Sequence, residues 1–122
     1  MKIYIASEYG RRRGLSEEQC EANVHKALDA ARKLILKGHI PFVPVLYHYI
    51  SAGWVDSPEE DVWTEMVSSW LPDCDALLQV HKPLDETYGV WIETEMAKTL
   101  RMPVFYNIGE VPNGKENNTY SK

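Results

Sequence analysis

The chain reads as a single α/β domain, a three-layer, doubly wound parallel sheet of the flavodoxin-like or Rossmann-like kind. Two observations lead there. Short apolar runs at residues 2–6, 40–46, 75–80 and 104–106 alternate with segments whose apolar residues recur at helical spacing. Strands that alternate with helices call for a parallel sheet covered on both faces and joined by crossovers. With 122 residues the chain can bury one core but not two.

Each element has a local reason. Lys2 to Ala6 is an apolar run rich in Ile and Tyr, and the polar, glycine-flanked stretch from Ser7 to Gly14 then reads as a loop. Ser16 with Gln19 three residues on forms a capping box. Cys20, Val24, Ala27, Leu28, Ala31, Leu34 and Ile35 follow at helical spacing until Gly38. Pro41 and Pro44 interrupt the run from Ile40 to Leu46, so the second strand is expected to be short and to lead into an aromatic loop, Tyr47-His48-Tyr49, that continues to Gly53. A further helix is expected at Ser57-Pro58-Glu59-Glu60, with Ser57 as cap, Pro58 in the first turn and Glu60 closing the box. Trp63, Met66, Val67, Trp70 and Leu71 would form its inward stripe. Pro72 ends that helix and Asp75 to Val80 reads as a buried third strand. The helix around Glu93 is expected to turn Ile92, Met96 and Leu100 inward with Gly89, Glu93 and Ala97 as the adjoining row. After Pro103, Val104 to Tyr106 is the fourth strand. The domain is placed at residues 1–109, and residues 110–122, nearly devoid of apolar side chains, are expected to form a disordered tail.

Composition narrows the function. Hydrophobic residues make up 44% and charged residues 25%, and no apolar run approaches the ~20 residues of a membrane span. With Met1 to Ala6 leading directly into strand sequence rather than a signal peptide, a cytoplasmic protein without a membrane partner is expected. Cys20 and Cys74 sit beside core positions and are expected as space-filling thiols. A net charge of -5 argues against binding a nucleic-acid polymer, because such binders neutralise phosphates with a basic surface. His25, His39, His48 and His81 lack metal-ligand spacing, so neither a metal nor another cofactor is expected.

Ligands of open parallel sheets bind at the carboxyl ends of the strands, near the reversal of strand order. The loops after Ala6, Leu46 and Val80 therefore matter most. The first holds Gly10-Arg11-Arg12-Arg13-Gly14 ahead of a helix N-terminus and suits a phosphate, although a solvated basic turn explains the same residues. Its glycine spacing fits neither a Walker loop nor a dinucleotide fingerprint. Glu93 stands near the start of its helix on the inward side. The positive helix end is expected to keep it ionised and nucleophilic; a capping contact or ion pair is the structural alternative. Tyr47, His48 and Tyr49 offer a stacking wall for a base, or simple loop packing.

The order of motifs resembles the nucleoside 2-deoxyribosyltransferase family, including its branch that hydrolyses nucleoside 5'-monophosphates at the N-glycosidic bond. The resemblance spans roughly Lys2 to Tyr106. It rests on Ile3-Tyr4-Ile5-Ala6-Ser7 before a Gly/Arg loop, on Trp70-Leu71 ahead of Cys74-Asp75, and on Gly89-Val90-x-x-Glu93-x-x-x-Ala97. It implies that Glu93 is the nucleophile, that Tyr4 lies close to it, and that Thr87 helps hold a 5'-phosphate. The family's aspartate three residues before the tryptophan matching Trp70 is replaced by Val67, and Asp73 or Asp75 is the candidate substitute, although Asp75 at a strand start serves equally as a turn or cap residue. The substrate-binding set is then Ser7, Gly10, Arg11, Arg12, Thr87 and Gly89, with a small nucleotide or nucleoside as partner and a homo-oligomer as the assembly. The expected activity is hydrolysis or deoxyribosyl transfer through a glycosyl-enzyme intermediate. The rival is a nucleotide-binding or sensing module that has lost catalysis, for which Val67 is the best argument.

Overall fold

Four parallel strands form one sheet in the order β2-β1-β3-β4. They are β1 (Lys2–Ala6), β2 (Ile40–Phe42), β3 (Ala76–Gln79) and β4 (Val104–Phe105). The computed structural model describes residues 1–10, 14–82 and 89–114, apart from the side chain of Glu60. Strand order reverses between β1 and β3, the expected position of a ligand crevice in a doubly wound sheet.

The two-residue period of β1 divides the core into two layers. Ile3 and Ile5 enter one apolar cluster with Val24, Ala27, Ala31 and Leu34 of α1 (Glu17–Leu36). Tyr4 and Ala6 enter the other, with Val90 and Ala97 of α4 (Gly89–Thr99). β3 repeats the division, sending Ala76 and Leu78 to the α1 side and Leu77 to the α4 side. Both faces are therefore covered, as the three-layer reading requires. Ser16 caps α1 through the full box, its hydroxyl accepting from the Gln19 N–H at 3.2 Å while the Gln19 side chain accepts from the Ser16 N–H at 3.1 Å. Cys20 and Cys74 are both free thiols.

Several elements depart from expectation for local reasons. Pro44 opens a 3-10 turn over Pro44–Tyr47, and the chain then forms the one-turn helix α2 (His48–Ser51) where an aromatic loop was expected. α3 (Glu60–Ser68) is capped by Glu59 without a side-chain bond. Ser57 does not cap it; its Oγ instead accepts the Trp63 indole N–H at 3.3 Å. Trp63, Val67 and Leu71 are buried, whereas Met66 and Trp70 remain exposed. On α4 the inward residues are Val90, Glu93, Thr94 and Ala97, while Ile92 and Leu100 are 37% and 45% exposed. Two polar contacts fix that rotation: Tyr4 donates to Glu93, and the Gln79 amide donates to Thr94 Oγ1 at 3.1 Å.

The chain goes on packing past residue 109. Val111 is only 2% exposed and belongs to the α1-side core. Lys37 Nζ donates to the carbonyls of Ile108 and Val111 at 3.1 and 2.7 Å. The Gly114 N–H returns to Lys37 O at 2.7 Å, and His39 Nε2 donates to Pro112 O at 2.6 Å. The packed chain thus runs on through Gly114. The rest of the expected tail, residues 115–122, lies outside the described residues. Among the described residues no helix is long and apolar enough to cross a membrane.

Candidate active site

β1 carries Tyr4 on its α4 face, and α4 turns Glu93 toward the sheet, so two residues 89 apart in sequence meet inside the protein. The Tyr4 hydroxyl donates a short hydrogen bond to Glu93 Oε2. Tyr4 is fully buried and Glu93 is 6% exposed. Loss of hydration pushes the Glu93 carboxyl up to about 8, against the pull of the Tyr4 hydrogen bond, which favours the ionised form. Burial, then the charge and hydrogen bond of Glu93, drive the Tyr4 phenol well above its ordinary range. Against the expectation that the helix terminus keeps Glu93 ionised at neutral pH, desolvation drives its carboxyl toward the protonated form. A group that titrates near the working pH and has a fixed hydrogen-bond donor is suited to nucleophilic or acid-base work.

An aromatic wall leads away from this pair. Phe42, in register with Tyr4 across the β1–β2 ladder, lies 5.5 Å from it between ring centroids. Trp70 and Tyr47 lie 5.9 and 6.2 Å from Phe42. Gly89 opens α4 one turn before Glu93; a Cβ there would stand 3.6 Å from Glu93 Oε1 and 4.0 Å from Thr64 Cγ2. Glycine thus keeps space open beside the carboxyl oxygen. Phe42 and Thr64 were not singled out from the sequence. Parallel pairing puts Phe42 on the same face as Tyr4, which a register argument finds; Thr64 carries no comparable signal.

The remaining candidates separate. Ser7 stands just past the carboxyl end of β1, its hydroxyl oxygen buried with no hydrogen-bond partner among the described residues. The Glu8 N–H donates to His81 Nδ1 at 3.0 Å, tying the loops after β1 and β3 together. Gly10 holds a φ of 108°, where a Cβ would collide with the Leu15 side chain, and its carbonyl accepts from the Leu15 N–H at 3.1 Å. Its role in the described structure is to close this turn. Tyr47 joins the aromatic wall, whereas His48 stacks on Tyr9 with centroids 4.0 Å apart and planes 9° from parallel. Asp75 is at the wrong end of the sheet to substitute for the missing aspartate. Its Oδ2 accepts from the Lys2 N–H at 2.8 Å, and its own N–H donates to Lys2 O at 2.7 Å, which ties β1 to β3 at their amino ends. Val67 is buried. Arg11, Arg12 and Thr87 lie outside the described residues.

Comparison with known proteins reveals a likeness of fold. A solved 2-deoxyribosyltransferase from the psychrotolerant bacterium Bacillus psychrosaccharolyticus, described as a biocatalyst for nucleoside synthesis, superposes with a TM-score of 0.53 at 22% identity. The match covers 98% of this chain and 89% of that one. No curated protein gives a match. The family described as a domain of unknown function, DUF1937, matches residues 1–108, and the chain belongs to that family.

Proposed function

We propose that the protein cleaves the N-glycosidic bond of a nucleoside 5'-monophosphate or deoxynucleoside, with Glu93 as the nucleophile. The observation that carries this reading is the buried Tyr4–Glu93 pair at the crossing of β1 and α4, with its carboxyl poised near pH 8. The fold shared with a 2-deoxyribosyltransferase supports it. An ionised Glu93 oxygen bonds to the anomeric carbon as the carbon–nitrogen bond breaks. The bonding pair leaves with the base, which takes a proton from solvent. Water then attacks the same carbon, loses its proton and frees the carboxylate, so that nucleotide and water become sugar phosphate and base. A second base in place of water makes the reaction a deoxyribosyl transfer.

Tyr4 holds Glu93 Oε2 and favours the anion, leaving the oxygen beside Gly89 to attack. Phe42, Tyr47 and Trp70 offer ring surface to the base. Ser7 and Gly89 belong to the proposed substrate-binding set on position, and Gly10, Arg11, Arg12 and Thr87 on the sequence argument for a phosphate. A homo-oligomer and a cytoplasmic setting complete the reading; the exposed Ile50, Trp54, Val55, Met66 and Trp70 supply apolar surface for an assembly. The second reading, a catalytically inactive nucleotide-binding module, draws on the apolar Val67.

Acid-quenched mixtures of protein and substrate, analysed by peptide mass spectrometry, test the intermediate directly. The expected result is a sugar or sugar-phosphate adduct on the peptide containing Glu93, absent from Glu93→Gln. Base release without an adduct on that peptide contradicts the nucleophile assignment. Measurable nucleotide binding without base release favours the inactive module.

A further inference from the structure

A concavity lies beside α4. It has a volume of about 640 Å³, within the range of small-molecule sites, and opens between α1, the carboxyl end of β3 and the flank of α4 that runs from Thr94 to the exposed Lys98. Trp91, Thr94, Glu95 and Lys98 reach it from α4, whereas neither Glu93 nor Tyr4 lines it. At 3.6 residues per turn, Glu93 is about 200° round the helix from Trp91. The cleft is therefore separate from the proposed catalytic pair.

Its lining combines two recognition chemistries. Lys26, Lys82 and Lys98 come from three different parts of the fold, and the one carboxylate among the lining residues is Glu95, 3.7 Å from Lys98. That places local positive charge on a chain of net charge -5. Trp91 and Tyr106 contribute aromatic surface on which a flat ring can stack. Gln79 is oriented: its amide N–H donates to Thr94 Oγ1 at 3.1 Å, and the Thr94 hydroxyl donates to Val90 O at 2.7 Å. The Gln79 amide is thereby held in place in the cleft wall, with its oxygen left to accept from a ligand.

We infer that this cleft is a second binding site, for a small molecule that joins a planar aromatic ring to a phosphate or carboxylate. Lysines contributed by α1, the segment after β3 and α4 converge on the anion, and Trp91 and Tyr106 receive the ring. The site does not depend on Glu93 chemistry. Because α4 forms one wall of this cleft and also carries Glu93, occupancy here bears on the helix that positions the carboxyl group.

The four tryptophan indole N–H signals in a nitrogen-15 NMR spectrum can test the site, with Trp91 assigned through Trp91→Phe and Trp70 through Trp70→Phe. Phenyl phosphate and adenosine 5'-monophosphate are the probes, with inorganic phosphate and adenosine as the separate halves. The expected result is a saturable shift of the Trp91 signal by each probe, with each half at least about tenfold weaker. The shift persists in Glu93→Gln, weakens about tenfold in the Lys26→Ser/Lys82→Ser variant, and is unchanged in Lys33→Ser, where the lost lysine pairs with Asp29 away from the cleft. A stationary Trp91 signal with both probes, or a shift indifferent to loss of Lys26 and Lys82, overturns the inference. The Trp70 signal, beside the aromatic wall of Glu93, reports the catalytic site independently, so failure of one reading is distinguishable from failure of the other.

Discussion

A carboxyl group buried inside the protein against the Tyr4 hydroxyl gives up most of its hydration, and Glu93 responds by holding its proton up to about pH 8, against an ordinary value of 4.5. Between those values the unfolded chain has released a proton that the folded chain still binds. Folded stability therefore falls as pH rises across that window, by up to about 1.4 kcal/mol per unit, and levels off above about 8. Glu93→Gln removes the ionisation and is expected to raise Tm relative to the wild type. The gap should be small near pH 4.5, widen to about pH 8 and then hold; melts across this range check it, and a gap independent of pH contradicts the assignment. In the proposed mechanism the same titration governs catalysis, so kcat/KM for base release is expected to rise about tenfold per pH unit below 8 and to plateau above it. Tyr4→Phe removes a bond that favours the anion, and the midpoint of that profile should move to higher pH. An unmoved midpoint would show that Tyr4 does not act on Glu93. The meeting of Tyr4 and Glu93 was legible in the motif resemblance, but the protonation state was not. A helix-terminus argument takes in the helix's own field and leaves out the solvent lost when the helix docks.

α1 was legible in the sequence almost residue by residue, because its information is local: a capping box at one end, Gly38 past the other and an apolar stripe between. α4 was legible in place but not in rotation. Ile92 and Leu100 look like core residues in an isolated helix, yet the hydrogen bonds from Tyr4 and Gln79 turn Glu93 and Thr94 inward. Contacts reaching across the sheet are invisible to spacing within one segment. The α3 start misled for a similar reason, since Ser57 is engaged by the Trp63 indole. Two substitutions check this account. Ser16→Ala should cost about 1 kcal/mol in denaturant unfolding by removing the α1 cap. Gly89→Ala should leave Tm undiminished, since alanine favours helix, while lowering base release by placing a methyl 3.6 Å from Glu93 Oε1. Full activity in Gly89→Ala would mean that the space beside that oxygen is not where substrate enters.

For the molecule as a whole, alternating strands and helices were enough to predict a covered parallel sheet, and β1 confirms its logic by sending Ile3 and Ile5 to one layer and Tyr4 and Ala6 to the other. The polar composition beyond Glu110 concealed the packing of the described segment up to Gly114. One buried valine and hydrogen bonds from Lys37 and His39 to its backbone carbonyls hold it, and neither alters the composition of the segment. Val111→Ala is accordingly expected to lower unfolding free energy by about 2 kcal/mol, where a solvated residue would cost almost nothing. Asp75 was placeable from topology alone: a residue at the start of a strand in an all-parallel sheet lies at the amino end, opposite the end where ligands bind. The most direct test of the central claim is chromatographic detection of free base from ribo- and deoxyribonucleoside 5'-monophosphates and the matching nucleosides, at pH 7 and 9, with wild type beside Glu93→Gln. Base released by the wild type alone, and faster at pH 9, is the predicted result. No release from any substrate at either pH, or equal release by Glu93→Gln, would contradict it.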